Sequence, residues 1–297
     1  MIPNRIQIRL IAWVTMLLPS TLTLILWREF GGGEPTWWYL VPLTGLSLIL
    51  ILTMFLGSLS RIREYVALML MLFLMGFGGG WTFGVIPWVR ASEAWISLTY
   101  RLSSGLSDLA VHLLRLTPAA MYLFFTRLRN IDHTEINLSF GDINSLVKPS
   151  RLLGVNDKIT WVNMSIRFAS VFGLGTLIFL MVAAKPDFRE LAANINVLPF
   201  VVLIAALNAF NEEFTLRAAP IHSLRSLGER DALALTTVFF GLGHYYGVPY
   251  GLTGVLLSGF LGWFNGKSII ETHGFFLAWF THLVPDLVIF CFLLVFG

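Results

Sequence analysis

What most limits the folds open to this chain is a series of apolar runs without a single charge. Leu10–Trp27, Trp37–Gly57, Tyr65–Val89, Phe168–Ala184 and Leu191–Asn211 contain no Asp, Glu, Lys or Arg. A helix needs about 20 apolar residues to cross the roughly 30 Å hydrocarbon core of a bilayer. Ala232–Gly266 is too long for one crossing and breaks at "GVPYG", Gly247–Gly251, while Gly274–Gly297 closes the chain as a final span. The expectation is an all-α, polytopic transmembrane bundle of about eight spans.

Composition agrees. The chain is 56% hydrophobic and 12% charged, against roughly a quarter charged in soluble domains. A formal charge of +3 is too small to argue for nucleic acid, so lipid is the expected surroundings and the basic residues read as membrane-flanking. Cys291 stands alone in an apolar run, which excludes an internal disulfide and a cysteine metal cluster. Arg5 and Arg9 precede the first run, but no small-residue cleavage site follows it, so an uncleaved first helix is expected. Arg61 and Arg63 lie between the second and third runs, which favours a cytoplasmic N-terminus.

Three parts are expected. Residues 1–90 form a three-helix transmembrane part whose third helix contains "GFGGGWTFG", Gly76–Gly84, read as a place where a neighbouring helix approaches closely. Residues 91–160 form a polar and amphipathic insertion. Within it, Leu109–Thr126 is apolar but interrupted by Arg115 and Pro118, and either lies in the interface or crosses. Residues 161–297 form the last part. His112, His133 and His222 have no partner at useful spacing and read as surface histidines.

The last part holds ionisable residues where a span should be apolar, at a cost of about 2.5–3.5 kcal/mol or more each. In "LNAFNEEFTLRAAP", Glu213 and Arg217 stand at i,i+4 with the acid first, the favourable helical order. Glu212 then points about 100° away. In "FFGLGHYYG", His244 follows Phe240 by one turn, and in "FTHLVPDLVIF", His282 and Asp286 share a face across Pro285. Proline removes a backbone donor there and favours a polar cavity. The stretch "NGKSIIETHG", Asn265–Gly274, reads as a solvated turn without chemistry. Gly254, Ser258, Gly262 and Gly266 make one smooth helix face suited to close packing.

An EExxxR element, then FxxxH, then HxxxD, each on a separate late helix, resembles the CPBP family. That family holds CAAX prenyl endopeptidases of the Rce1 type and the Abi proteins of bacteriocin processing or immunity. The motifs here are "EEFTLR" (Glu212, Glu213, Arg217), "FGLGH" (Phe240, His244) and "HLVPD" (His282, Asp286), so the likeness covers roughly residues 195–290. It implies a glutamate-dependent intramembrane endopeptidase in a bacterial cell membrane. Glu212 would be the base that activates water, helped by His244. His282 and the residue four later would stabilise the oxyanion, and Arg217 would hold Glu213.

Elementary chemistry fits that division: peptide hydrolysis needs an activated water and donors aimed at the developing oxyanion. Rce1 enzymes commonly carry asparagine where this chain has Asp286, and an ionised aspartate cannot donate. Asp286 either orients His282 or is itself protonated. No cofactor is expected. The alternative is a divalent ion such as zinc on Glu212, His244, His282 and Asp286. Expected partners are membrane lipids and a peptide or protein substrate near the membrane; oligomeric state is not legible. A non-catalytic scaffold or immunity protein of the same fold is the competing function, with a transporter third. One geometric condition follows. His244 falls about thirteen residues into its run, roughly 20 Å along a helix, while His282 lies near the start of its own. They meet Glu212 only if the helices are staggered or unequal in length.

Overall fold

The computed structural model describes residues 5–77, 82–155 and 158–296. Helix α1 (Arg5–Leu17) and helix α2 (Leu22–Phe30) meet at a 65° bend. Then come α3 (Leu40–Phe55), α4 (Arg63–Met75), the short α5 (Val85–Arg90) and α6 (Glu93–Tyr100), and the long α7 (Ser104–Leu128). The second half contains α8 (Trp161–Ala184), α9 (Ile195–Ser223), α10 (Glu229–Gly243), α11 (Leu252–Thr272) and α12 (Phe276–Val295). Among the described residues there is no strand beyond two isolated bridges near residues 146–160. The chain is a helical membrane bundle.

Four helices, α7, α8, α9 and α12, are long and apolar enough to cross a membrane, or five spans if α1 and α2 count as one. The remaining long helices of the expected set are shorter or less apolar, since α3 has 16 residues and α4 has 13. The apolar face that α8 turns outward (Val171, Leu174, Ile178, Val182) has no protein cover. In a bilayer such a face contacts lipid, where a helix satisfies its own backbone groups.

Helix α4 stops before the glycine-rich stretch. Gly76 takes a left-handed conformation (φ 83°) and closes the helix after Met75. A Cβ on Gly84 would come within 2.4 Å of the Gly76 nitrogen. Gly76 thus ends one helix and also lets the next approach closely, as expected, since a Cβ there would stand 2.5 Å from Pro87 of α5; residues 78–81 lie outside the described residues.

Leu109–Thr126 belongs to α7, which continues through Pro118. Proline has no N–H for the carbonyl one turn back. The Thr117 hydroxyl donates to that carbonyl, Leu114 O, at 2.5 Å instead. Helix α7 runs along α9, which in turn packs against α12; α8 lies outside α12, and α10 pairs with α11. The small-residue ladder of α11 does pack as expected. Added Cβ atoms would meet Phe240 at Gly262, Leu233 at Gly266 and the His244 carbonyl at Gly254.

Two further expectations change. Asn265–Thr272 is not a solvated turn but the buried end of α11. There Glu271 accepts from the Trp161 indole at 3.0 Å and the Lys148 backbone at 2.9 Å, and it pairs with Lys267. His112 and His222 are buried rather than superficial. His112 donates to the Asp108 carbonyl, and His222 to that of Glu135. Only His133 of the three is exposed.

Candidate active site

The site starts from how α9 treats its polar segment. After Glu213 the helix widens: the Ala219 N–H reaches the Phe214 carbonyl five residues back, a π-helical turn over Phe214–Ala218. Such turns insert one residue and re-aim the side chains around them, often at functional sites. Thr215 anchors the turn by donating to the Asn211 carbonyl. The helix does not end in water at Asn211. Glu213 and Arg217 are wholly buried and face each other at 2.9 Å (Nη1 to Oε1).

Glu213 gathers three partners on one oxygen. Its Oε1 accepts from Asn265 Nδ2 at 2.9 Å and from His282 Nδ1 at 2.5 Å, besides pairing with Arg217. The guanidinium of Arg217 lies over the Phe240 ring, 3.6 Å from its centroid. Gly262 leaves room for that stack: a Cβ there would stand 3.1 Å from Phe240 and 3.4 Å from Arg217. A desolvated cation over an aromatic face is worth about 2 kcal/mol or more. Phe240 also packs edge-on against His282, with ring centroids 5.9 Å apart, and tilts against His244 at 4.4 Å.

These anchors orient both histidines. A carbonyl only accepts, so His244 Nδ1–H donates to Phe240 O at 2.9 Å and leaves Nε2 available. His282 Nδ1 is committed to Glu213, which turns its Nε2 toward Glu212 Oε2 at 3.8 Å and Asp286 Oδ1 at 3.6 Å. The helices are unequal in length, which meets the condition set by the sequence. Helix α10 has 15 residues and His244 sits just beyond its last residue, within electrostatic reach of Glu212 and His282. Glu212, Glu213, Arg217, Phe240, His244, His282 and Asp286 thus occupy one cluster.

Three members of the cluster carry no role in the sequence reading: Arg115, Asn208 and Asn265. Arg115, from α7, donates to Asn208 Oδ1 at 2.9 Å and to Glu212 Oε1 at 3.2 Å. Asn208 donates through Nδ2 to Asp286 Oδ2 at 3.0 Å. A signal existed for two of them. Arg115 is a charge inside an apolar run, and Asn208 stands one turn before Glu212 on the same face. Asn265 was hidden by the reading of its segment as a turn.

The four candidate metal ligands do not converge. Among the described residues no three His, Cys, Asp or Glu side chains are placed to hold one ion.

Comparison with known protein families can now be set beside this geometry. Residues 194–288 match the family described as type II CAAX prenyl endopeptidase Rce1-like. The segment is similar to that family over about a third of the chain. It runs from the start of α9 to the middle of α12 and contains every site residue except Arg115. The family is one of CAAX-type intramembrane proteases, so the match supports a protease role for the domain at a membrane. No curated protein and no solved structure matches the chain.

Proposed function

We propose that the protein is an intramembrane endopeptidase that hydrolyses a peptide bond of a membrane-proximal peptide or protein with water activated by side chains. One observation carries the reading: three polar insertions meet, with His282 clamped between Glu213 and the pair Glu212 and Asp286 and with Phe240 set against both Arg217 and His282. In this reading Glu212 takes a proton from water as its oxygen attacks the scissile carbonyl, and the available Nε2 of His244 helps to hold that water. His282 Nε2 faces the carbonyl oxygen as negative charge develops there. On collapse the C–N bond breaks and the proton on Glu212 passes to the departing amine. Removing one group that stabilises the oxyanion costs about 100- to 1000-fold in rate.

Arg9 pairs with Asp231, Arg63 donates to the Thr53 carbonyl, and Arg129 and Arg225 flank Glu64. Under the positive-inside rule we assign these basic residues to the cytoplasmic side. A substrate ending in a prenylated CAAX sequence fits the domain's family, and an unprenylated precursor fits the same chemistry.

The test is peptidomics of membranes expressing the wild type, Glu212→Ala or His244→Ala at matched levels. A cleavage product made only by the wild type supports the protease. Identical profiles across all three favour the non-catalytic scaffold, in which the polar cluster is only structural.

A further inference from the structure

Five side chains of the site close on themselves. Arg115 links Glu212 (3.2 Å) to Asn208 (2.9 Å), and Asn208 links to Asp286 (3.0 Å). Asp286 faces His282 Nε2 (3.6 Å), which faces Glu212 again (3.8 Å). The ring spans three helices, α7, α9 and α12, and its members are buried or nearly so: Asn208 is 7% and Asp286 5% exposed.

The ring determines which way the Asn208 amide points. Arginine has donors only, so the amide edge facing Arg115 must be the carbonyl. The NH2 edge then faces Asp286, and only one of its two hydrogens is needed there. The reverse orientation would set NH2 against guanidinium and carbonyl against carboxyl oxygen. Asp286, if ionised, has no hydrogen to give an oxyanion, yet an amide stands 3.0 Å away with a second hydrogen to give.

We infer that Asn208 is a catalytic residue: its second amide hydrogen donates to the oxyanion of the tetrahedral intermediate, beside His282. Arg115 is a positioning residue that holds the amide in the donating orientation. The inference rests on the protease reading and adds α7, which lies outside the Rce1-like segment, to the machinery. When the water oxygen bonds to the scissile carbon, its proton goes to Glu212 and the carbonyl π pair moves to oxygen. That oxygen accepts from Asn208 until the C–N bond breaks and the pair returns. No co-reactant other than water enters.

The experiment uses the full chain in liposomes and a synthetic peptide copying the site that is cut by the wild type and not by Glu212→Ala. The kcat and KM are measured for Asn208→Ala, Asn208→Asp and the exchange Asn208→Asp/Asp286→Asn, which returns an amide to the ring from the other side. Asn208→Ala is expected to lower kcat about 100- to 1000-fold with KM within about threefold. The exchange is expected to exceed Asn208→Asp alone in kcat by at least tenfold. A structural role alone would lower the folded fraction without this division between kcat and KM. If Asn208→Ala keeps kcat within about fivefold of wild type, or if the exchange is no better than Asn208→Asp, the inference is overturned. Should the wild type and Glu212→Ala give the same peptide profile, the protease reading fails first, and this inference with it.

Discussion

Arg217→Met tests the packing logic of the site without reference to catalysis. Arg217 and Glu213 have no solvent exposure and stand 2.9 Å apart. The substitution keeps much of the side-chain volume over Phe240 but leaves Glu213 without its balancing cation. Glu213 Oε2 already has no hydrogen-bond partner. Removing one member of a buried pair costs about 3–5 kcal/mol, because the other charge stays buried and uncompensated. Removing both charges costs less than either single change. In Glu213→Gln/Arg217→Met the glutamine carbonyl still accepts from Asn265 or His282, so the double variant should recover at least about half of the single loss. The assay is reversible denaturant unfolding in mixed micelles, run as a double-mutant cycle on the four proteins. A loss below about 1 kcal/mol for Arg217→Met, the value of an exposed pair, would refute the reasoning. Strict additivity of the two changes would refute it equally.

Gly262→Val should destabilise by about 1–3 kcal/mol in the same assay, since its Cβ enters at 3.1 Å from Phe240 and 3.4 Å from Arg217; unchanged stability would mean the stack yields freely. Glu271→Ala leaves buried Lys267 unpaired and strands the Trp161 indole and Lys148 amide. A loss of about 3–5 kcal/mol is expected, partly restored by adding Lys267→Met, and no restoration would count against a charge effect. Glu64, at the start of α4, is held at about 2 from its ordinary 4.5, first by its hydrogen bond with His222 and further by attraction to Arg225 and Arg129, against the opposing effect of burial. A depressed carboxylate stabilises above its unfolded pKa and loses that contribution as pH falls through the folded one. The Tm gap between wild type and Glu64→Gln should therefore be full at neutral pH and shrink from about pH 4.5 toward 2; a gap constant with pH would contradict it.

The sequence showed the site's ionisable core because charges inside apolar runs have few structural excuses. Glu212, Glu213, Arg217, His244, His282 and Asp286 stood out for that reason, and helical spacing predicted the Glu213–Arg217 contact. Arg115 and Asn208 were visible as polar interruptions, but nothing local says that α7 lies along α9, so their partners 93 and 97 residues apart could not be read. The π-helical turn could not be read because the i,i+4 spacing of Glu213 and Arg217 is already accounted for by an ordinary helix. Asn265–Thr272 misled for a different reason. Its Lys267 and Glu271 look solvated one by one, whereas on a helix they pair with each other and with Trp161. The glycines at 76 and 84 do allow the close approach read from them, and Gly76 ends a helix besides, a second use that the same residue does not announce.

The claim that Glu212 activates water for peptide hydrolysis is tested most directly by isotope transfer. Wild type and Glu212→Gln in liposomes are incubated with the cleavable peptide in H2(18)O, and the new C-terminal carboxylate is weighed by mass spectrometry. The account predicts one heavy oxygen in the wild-type product and no product from Glu212→Gln. Equal product from both proteins, or a product whose new carboxylate carries no label, would contradict it.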